Sequence, residues 1–501
     1  MHKDRATYDV VEPYAPAMIE SLRSVGYDLP MAIADVVDNS ITAGARLIDI
    51  SFFWNGDESI VSVADDGAGM SEESLISAMR IGSADPTAPR EKHDLGRFGL
   101  GLKTASFSQC RLVTVHTKTK GHQAATRCWD LDYVRQTKDW RILRSGSAQA
   151  EGFKKRIGES GTVVVWEKLD RIVKSTTVDN SRDRDIFNER AEIVERHLGM
   201  VFHRFMSGSR SVKFQINGRP IKPWDPFLQN HDATQHPESH PLSVGKERIQ
   251  VDCFVLPHHS KLTADEHAEA AGPNGWLAHQ GFYVYRNGRL LVPGDWLGLG
   301  VRKEEHYKLA RIRVDLPNTM DELWEIDVKK NTAKVPVSIQ RDLMNLGRVT
   351  REKAVSIYRH RGKVVSREHG PRDGFVWEQR VKHGKIFYRL NRDHPLIKQV
   401  LEAPSANRGA VTALLRIIEE TIPVPLIVLT SAEKPDQGST PFEQAPSSEI
   451  YGVMIELFLA FRSSGMTDKD AIKKLHSMDP FDRFPEYVEN LPETLKAKGL
   501  Q

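Results

Sequence analysis

Three short stretches carry the side chains that could do chemistry. Residues 35 to 39 read Asp-Val-Val-Asp-Asn, residues 65 to 70 read Asp-Asp-Gly-Ala-Gly-Met, and residues 96 to 106 read Gly-Arg-Phe-Gly-Leu-Gly-Leu-Lys-Thr-Ala-Ser. Asp35 and Asn39 are four apart, which sets them on one helix face where both reach one cavity. Asp65 opens a turn whose Gly67 and Gly69 have no Cβ, so the backbone can approach a ligand closely. A buried carboxylate there needs a hydrogen-bond donor to offset its desolvation. Gly96, Gly99 and Gly101 leave backbone N–H groups free to point at oxyanions, the residues after them start a helix whose positive end faces the phosphates, and Lys103 adds a full charge. Each stretch alone is weak. In this order they describe a pocket for a nucleotide.

Competing chemistries fit less well. A Rossmann reading of the glycines wants an early strand and an acidic residue about 20 positions on, and the P-loop Gly-Lys-Ser/Thr is absent. The histidines at 231, 236, 240, 258 and 259 lie in polar loops without fixed helical spacing, which argues against a metal site. No Ser-His-Asp or Cys-His arrangement can be assembled from spacing.

The elements that must hold these residues can be read around them. Residues 15 to 45 are expected to be helical, with a Gly-Tyr-Asp-Leu-Pro turn between two helices. Leu47 to Trp54 and Ser59 to Ala64 read as strands joined at Asn55-Gly56, a hairpin signal. Residues 111 to 117, 126 to 131 and 161 to 167 continue as strands, and residues 81 to 92, rich in Gly, Pro and charge, suit a mobile lid. A charged helix over 183 to 206 leads to a hairpin with Asn217-Gly218 at its tip and to strands at 249 to 256 and 281 to 288.

At 501 residues the chain exceeds a single core, and 40% hydrophobic with 27% charged residues is ordinary for a globular protein. The net charge of +3 gives no whole-chain case for nucleic acid. The local excess of base lies at 346 to 385, where Arg359, Arg361 and Lys363 are among the cations and Tyr358, Phe375 and Trp377 are interleaved. Cys110, Cys128 and Cys253 share no motif spacing, which fits a reducing compartment. The polar N-terminus and the short apolar runs predict a cytoplasmic protein without a membrane span.

The three motifs resemble those of the GHKL ATPases, the superfamily of DNA gyrase B subunits, heat-shock chaperones, MutL proteins and histidine kinases, and look most like its MORC-type branch with bacterial relatives. The motif likeness covers residues 30 to 170, with a weaker pattern to about 345. It implies an α+β protein: a GHKL (Bergerat) α/β sandwich ATPase domain over 1–175, a transducer-like α+β domain over 176–345, a basic mixed region over 346–430, a linker over 431–448 and a helical tail over 449–501. By resemblance Asp35 stands where the family has a Glu that polarises the attacking water, Asn39 ligates Mg2+, and Asp65, rather than Asp66, accepts from the adenine amine with Thr162 bonded to it. The same likeness assigns nucleotide contact to Gly67, Gly69, Met70, Gly96, Arg97, Phe98, Gly99, Leu100, Gly101 and Lys103, and a γ-phosphate contact to Lys329 or Lys330, with Lys334 a distant third. ATP and Mg2+ are therefore the expected ligands. The implied function is an ATP-hydrolysing switch that forms a homodimer on ATP and acts on DNA, in a restriction or phage-defence setting with a nuclease or methyltransferase partner. The alternative is a chaperone-like ATPase acting on protein clients.

Overall fold

The computed structural model describes residue 9 and residues 11–82, 95, 101–174, 177–208, 211–235, 239–245, 247–327, 330, 332–364, 376–382, 385–403, 408–422, 442, 447–476, 478, 481, 484–497 and 499. The chain divides into two compact units, Met1–Ser356 and Ile357–Gln501. Among the described residues no helix is long and apolar enough to cross a membrane. All three cysteines are free and buried.

In the first unit, helices α1 (Ala15–Arg23) and α2 (Leu29–Thr42) precede strands β1 (Leu47–Phe53) and β2 (Ile60–Asp65), then α3 (Glu72–Met79) and α4 (Gly101–Phe107). Strands β3 (Leu112–Lys118) and β4 (Ala125–Asp130), helices α5 (Leu131–Thr137) and α6 (Ala148–Glu151), strand β5 (Gly161–Glu167) and helix α7 (Ser181–Val201) follow. Strands β6 (Lys213–Ile216) and β7 (Arg219–Pro220) complete a seven-stranded sheet in the order β4-β3-β5-β2-β1-β6-β7. The expected hairpin at residue 217 forms, but β6 pairs in parallel with β1, Leu47 opposite Lys213. The first sheet therefore runs past the boundary expected at residue 175, because the hairpin supplies β1 with its second neighbour.

A second sheet, β11-β10-β12-β9-β8, is built from β8 (Ser239–Val244), β9 (Glu247–Val255), β10 (Gly281–Arg286), β11 (Arg289–Asp295) and β12 (Ala310–Leu316), with α8 (Ala264–Ala271) and α9 (Gly275–Ala278) between β9 and β10. Helix α10 (Val337–Val364) buries Ile339, Leu343 and Ala354. This helix crosses residue 345, and the first compact unit runs to Ser356. Although α7 is charged overall, it buries Phe187, Ala191, Val194 and Leu198, a helical apolar stripe. One continuous apolar core contains that stripe, Val36 and Val37 of α2, Ile50 of the first sheet, and Phe254, Tyr283, Tyr285 and Leu290 of the second sheet. The two sheets share this apolar core.

The second unit, taken by itself, has a hairpin of β13 (Trp377–Lys382) and β14 (Lys385–Leu390), helices Pro395–Glu402 and Arg408–Glu420, and a four-helix tail from Ser447 to Ala497 packed on Met454, Phe458, Phe461 and Leu475. Most of the expected linker over 431–448 lies outside the described residues.

Candidate nucleotide site

Helix α2 brings the first group together. Its start is fixed by Asp28, whose side chain accepts from the Met31 amide at 2.8 Å, and by a proline in the first turn. Asp35 and Asp38 are 2% and 1% exposed, so they are not the solvated face of a helix. Asn39 is exposed, on the face four residues on from Asp35. The Tyr27 hydroxyl donates to Asp35 Oδ2 at 2.7 Å, and Lys330 Nζ donates to Asp35 Oδ1 at 3.0 Å and to Asp38 Oδ2 at 2.6 Å. Arg289 Nε donates to Asp38 Oδ1 at 2.9 Å, with Nη2 3.8 Å from Asp35 Oδ1.

Two carboxylates and two cations thus meet in a buried cluster. Burial pushes the Asp35 carboxyl above its ordinary range, Lys330 and Arg289 pull it back, and Asp38 pushes it up further. Burial, with Asp35 beside it, raises Tyr27, which keeps the phenol protonated and able to donate. Lys330 has φ 53°, in the left-handed region, where a non-glycine residue is strained and must be held by its surroundings. Of the other lysines considered for this place, Lys334 pairs with Glu325 at an exposed position, and Lys329 lies outside the described residues.

The second group sits at the end of β2. Asp65 Oδ2 accepts from Ser40 Oγ at 2.8 Å, which ties the turn to α2, and Oδ1 accepts from the Gly67 amide at 3.0 Å. Burial raises the Asp65 carboxyl, against hydrogen bonds from Ser40, Gly67 and the Thr162 backbone. Asp66 does a different job: its Oδ1 accepts from the Arg46 and Leu47 amides at 2.6 and 2.8 Å and caps the entry to β1. The Thr162 hydroxyl lies 2.9 Å from Thr117 Oγ1, while its backbone bonds the Asp65 carboxyl. Thr117 Oγ1 also accepts from the Met70 amide at 2.9 Å. The glycines are required by protein neighbours: a Cβ on Gly69, at φ 69°, would lie 2.0 Å from the Lys118 carbonyl oxygen, and one on Gly67 would lie 2.9 Å from the Ala43 Cβ. That is a different reason from the ligand approach the turn pattern suggested.

At the phosphate end, Gly96, Arg97, Phe98, Gly99 and Leu100 lie outside the described residues. Gly101 opens α4 against Asp35, where a Cβ would come 3.3 Å from Oδ2. Lys103, expected to aim its charge at phosphates, is 4% exposed and donates to the Ala78 carbonyl at 2.8 Å, because its place on α4 faces the end of α3. Burial pulls it down to about 8. Among the described residues no cluster of three or more His, Cys, Asp or Glu could hold a metal ion. Asn39 fits a magnesium bound mainly by phosphate oxygens, since Mg2+ keeps few protein ligands.

Residue spacing missed Asp38 as a partner, and missed Tyr27, Ser40, Thr117 and Arg289. Asp38 had one local signal, an acid directly before Asn39. Arg289 had none.

With that geometry in place, the comparisons agree with it. Residues 27–162 match the family described as histidine kinase-, DNA gyrase B-, and HSP90-like ATPase. This part of the chain is a GHKL ATPase domain. Over 90 residues, 18% of the chain, it is 34% identical to ATPase morc-1 of Caenorhabditis elegans, of which 10% is covered. Over 90 residues it is also 34% identical to DNA mismatch repair protein MutL of Dictyoglomus turgidum, of which 16% is covered. The chain thus matches only 10% and 16% of the length of these curated relatives, and the likeness to the GHKL superfamily and its MORC-type members rests on the nucleotide domain.

Proposed function

We propose that the chain is a Mg-ATP-dependent ATPase in which the second domain senses the γ-phosphate through Lys330. The observation that carries this reading is the buried meeting of Lys330 with Asp35 and Asp38, on the helix that also presents Asn39, inside a domain of an ATPase family. Asp65 accepts from Ser40, Gly67 and the Thr162 backbone, which leaves one of about four carboxylate acceptor sites for the adenine amine. Asp35 takes a proton from the attacking water as the water oxygen bonds to the γ-phosphorus. The bond from that phosphorus to the bridging oxygen breaks, giving ADP and phosphate. Asn39 would hold magnesium, which would supply charge neutralisation when bound. An aspartate is one methylene shorter than the glutamate of the family, and the Tyr27 hydroxyl at 2.7 Å fixes its orientation.

In the same reading the chain dimerises on ATP and acts on DNA, supported by the likeness to a mismatch repair protein and by the base-rich residues 346 to 385. The side chains of Arg359, Arg361 and Lys363 lie outside the described ones. A restriction or phage-defence setting, with a nuclease or methyltransferase partner, belongs to this reading too. The test of the nucleotide assignment is titration calorimetry. Asp65→Asn replaces the acceptor by a group that adds a donor facing the adenine amine, and ATP binding should be lost, whereas unchanged affinity in a folded variant would remove Asp65 from the adenine.

A further inference from the structure

Helix α7 presents two faces. Phe187, Ala191, Val194 and Leu198 pack into the core, while Ile193, Arg196, His197 and Met200 follow the i, i+3, i+4, i+7 spacing of a second face and line a cavity of about 580 Å3. Its other walls are the start of α2 at Pro30 and Met31, Arg289, Leu290 and Leu291 of β11, and Asn274 just before α9. That volume lies in the range of sites that enclose a small organic molecule. Ile193 is 41% exposed, an apolar side chain turned to the cavity and not to the core.

The polar groups on these walls have donors to spare. Arg196 and His197 make no hydrogen bond or ion pair among the described residues, and the Asn274 side chain makes none either. Arg289 gives Nε to Asp38 and one Nη1 hydrogen to the Lys330 carbonyl at 3.3 Å, whereas its Nη2, 3.8 Å from Asp35, makes no hydrogen bond among the described residues. Arg289 and Lys330 line the cavity, but the acids that neutralise them, Asp35 and Asp38, do not, and neither do Asn39 and Asp65. Asp28 is the one acid among the described walls, and its carboxylate caps α2. The side of the charge cluster that the cavity meets is therefore cationic. Burial, with the Arg289 charge beside it, pulls His197 down to about 4, so at neutral pH its imidazole is uncharged and offers one N–H and one lone pair.

We propose that this cavity is a ligand site, separate from the nucleotide groups on α2 and β2, for a small organic anion with an apolar body. The charged head lies on the guanidinium groups of Arg196 and Arg289, and the hydrocarbon lies against Pro30, Met31, Met200 and Leu291. Carboxylate and phosphate both suit these donors, since either offers two oxygens to a planar fork. Apolar walls with a few converging polar groups supply affinity and orientation together. An occupant touches Arg289 and Lys330, the two side chains that bond the acids of α2. The inference goes beyond the nucleotide reading and does not depend on it.

The test is titration calorimetry on the full chain with 2-naphthoate, 1-naphthyl phosphate, the uncharged 2-naphthalenemethanol and acetate. At least one aromatic anion should bind with a Kd of about 1 mM or tighter, and the tighter of the two assigns the head as carboxylate or phosphate. The alcohol should bind about tenfold more weakly or worse, since it leaves the guanidinium groups without an anion, and acetate, which has no body to bury, should give no signal. Arg196→Met keeps the bulk and removes the charge, and should weaken the anion about threefold or more while leaving the alcohol unchanged. Ile193→Trp fills the cavity and should weaken the anion about tenfold or more. Both positions are exposed, so both variants should fold by circular dichroism. No saturable binding of either aromatic anion up to about 10 mM, an alcohol that binds as tightly as the anions, or anion affinities unchanged in both variants overturns the inference. ATP titrated into the same samples separates the two readings. Both variants should bind ATP as the wild type does, and a wild type that binds the anions but not ATP removes the nucleotide reading and leaves this one standing.

Discussion

Asp35 and Asp38 could be read from sequence as two acids on a helix, but not as buried ones, since burial depends on what covers them. Their covers, Lys330 and Arg289, come from about 250 to 300 residues away, and no local spacing links them. Removing one partner of such a cluster leaves an uncompensated buried charge, typically about 3–5 kcal/mol of destabilisation. Asp65, Gly67 and Gly69 were legible because one turn holds them all. The contact of Lys103 with the Ala78 carbonyl was not legible, because motif position gives its identity and not its rotamer. Its lowered pKa makes a prediction with a definite sign. Between about 8, the folded value, and 10.5, the ordinary lysine value, the unfolded chain binds more protons, so stability should rise with pH across that window. Below it the buried cation is a fixed cost. Lys103→Met should therefore raise stability at pH 7, by on the order of 1–3 kcal/mol, and the gain should shrink by pH 10. Urea unfolding of both proteins at the two pH values checks this, and a pH-independent difference would point to packing alone.

Among the elements, α2 was the most legible, because its cap, proline and apolar run are consecutive in the sequence. The strands of the first sheet were legible for the same reason, through β-branched runs and the Asn55-Gly56 turn. The pairing of β6 with β1 was not, since a parallel neighbour arriving after a long helix leaves no local mark. The β10–β11 turn was missed, since residues 281 to 288 were expected as one strand whereas β10 ends at Arg286, and its place beside α2 left no local mark either. The Gly69 turn offers a test at this scale. Alanine there meets the Lys118 carbonyl oxygen at 2.0 Å and sits at φ 69°, while alanine at Gly121, φ 79°, meets nothing within 4 Å. Gly121→Ala should lose only the conformational term, about 1 kcal/mol, and Gly69→Ala clearly more, since β3 must move. Chemical denaturation ranks the two, and equal losses would mean that the turn yields without moving β3.

For the whole molecule, the shared core of the first unit means that the nucleotide domain and the second domain should unfold together. Motion of one against the other then has to occur by repacking at the charge cluster. Only a triphosphate offers the γ-phosphate that competes with Asp35 for Lys330, so a non-hydrolysable ATP analogue should promote dimers and ADP should do so less. Light scattering gives the mass directly, and a single mass under every nucleotide condition would defeat the dimerising form of the switch.

The central claim is that Asp35 and Lys330 act on the γ-phosphate of bound ATP, and steady-state phosphate release measured beside ATP binding in wild type, Asp35→Ala and Lys330→Met tests it most directly. All three proteins should bind ATP, because the adenine end of the site is intact in each. Wild type should turn over with magnesium and stop when it is chelated, and both variants should lose about 100-fold or more in kcat. Variants that hydrolyse ATP at the wild-type rate, or a wild type that binds ATP and releases no phosphate, would contradict the account.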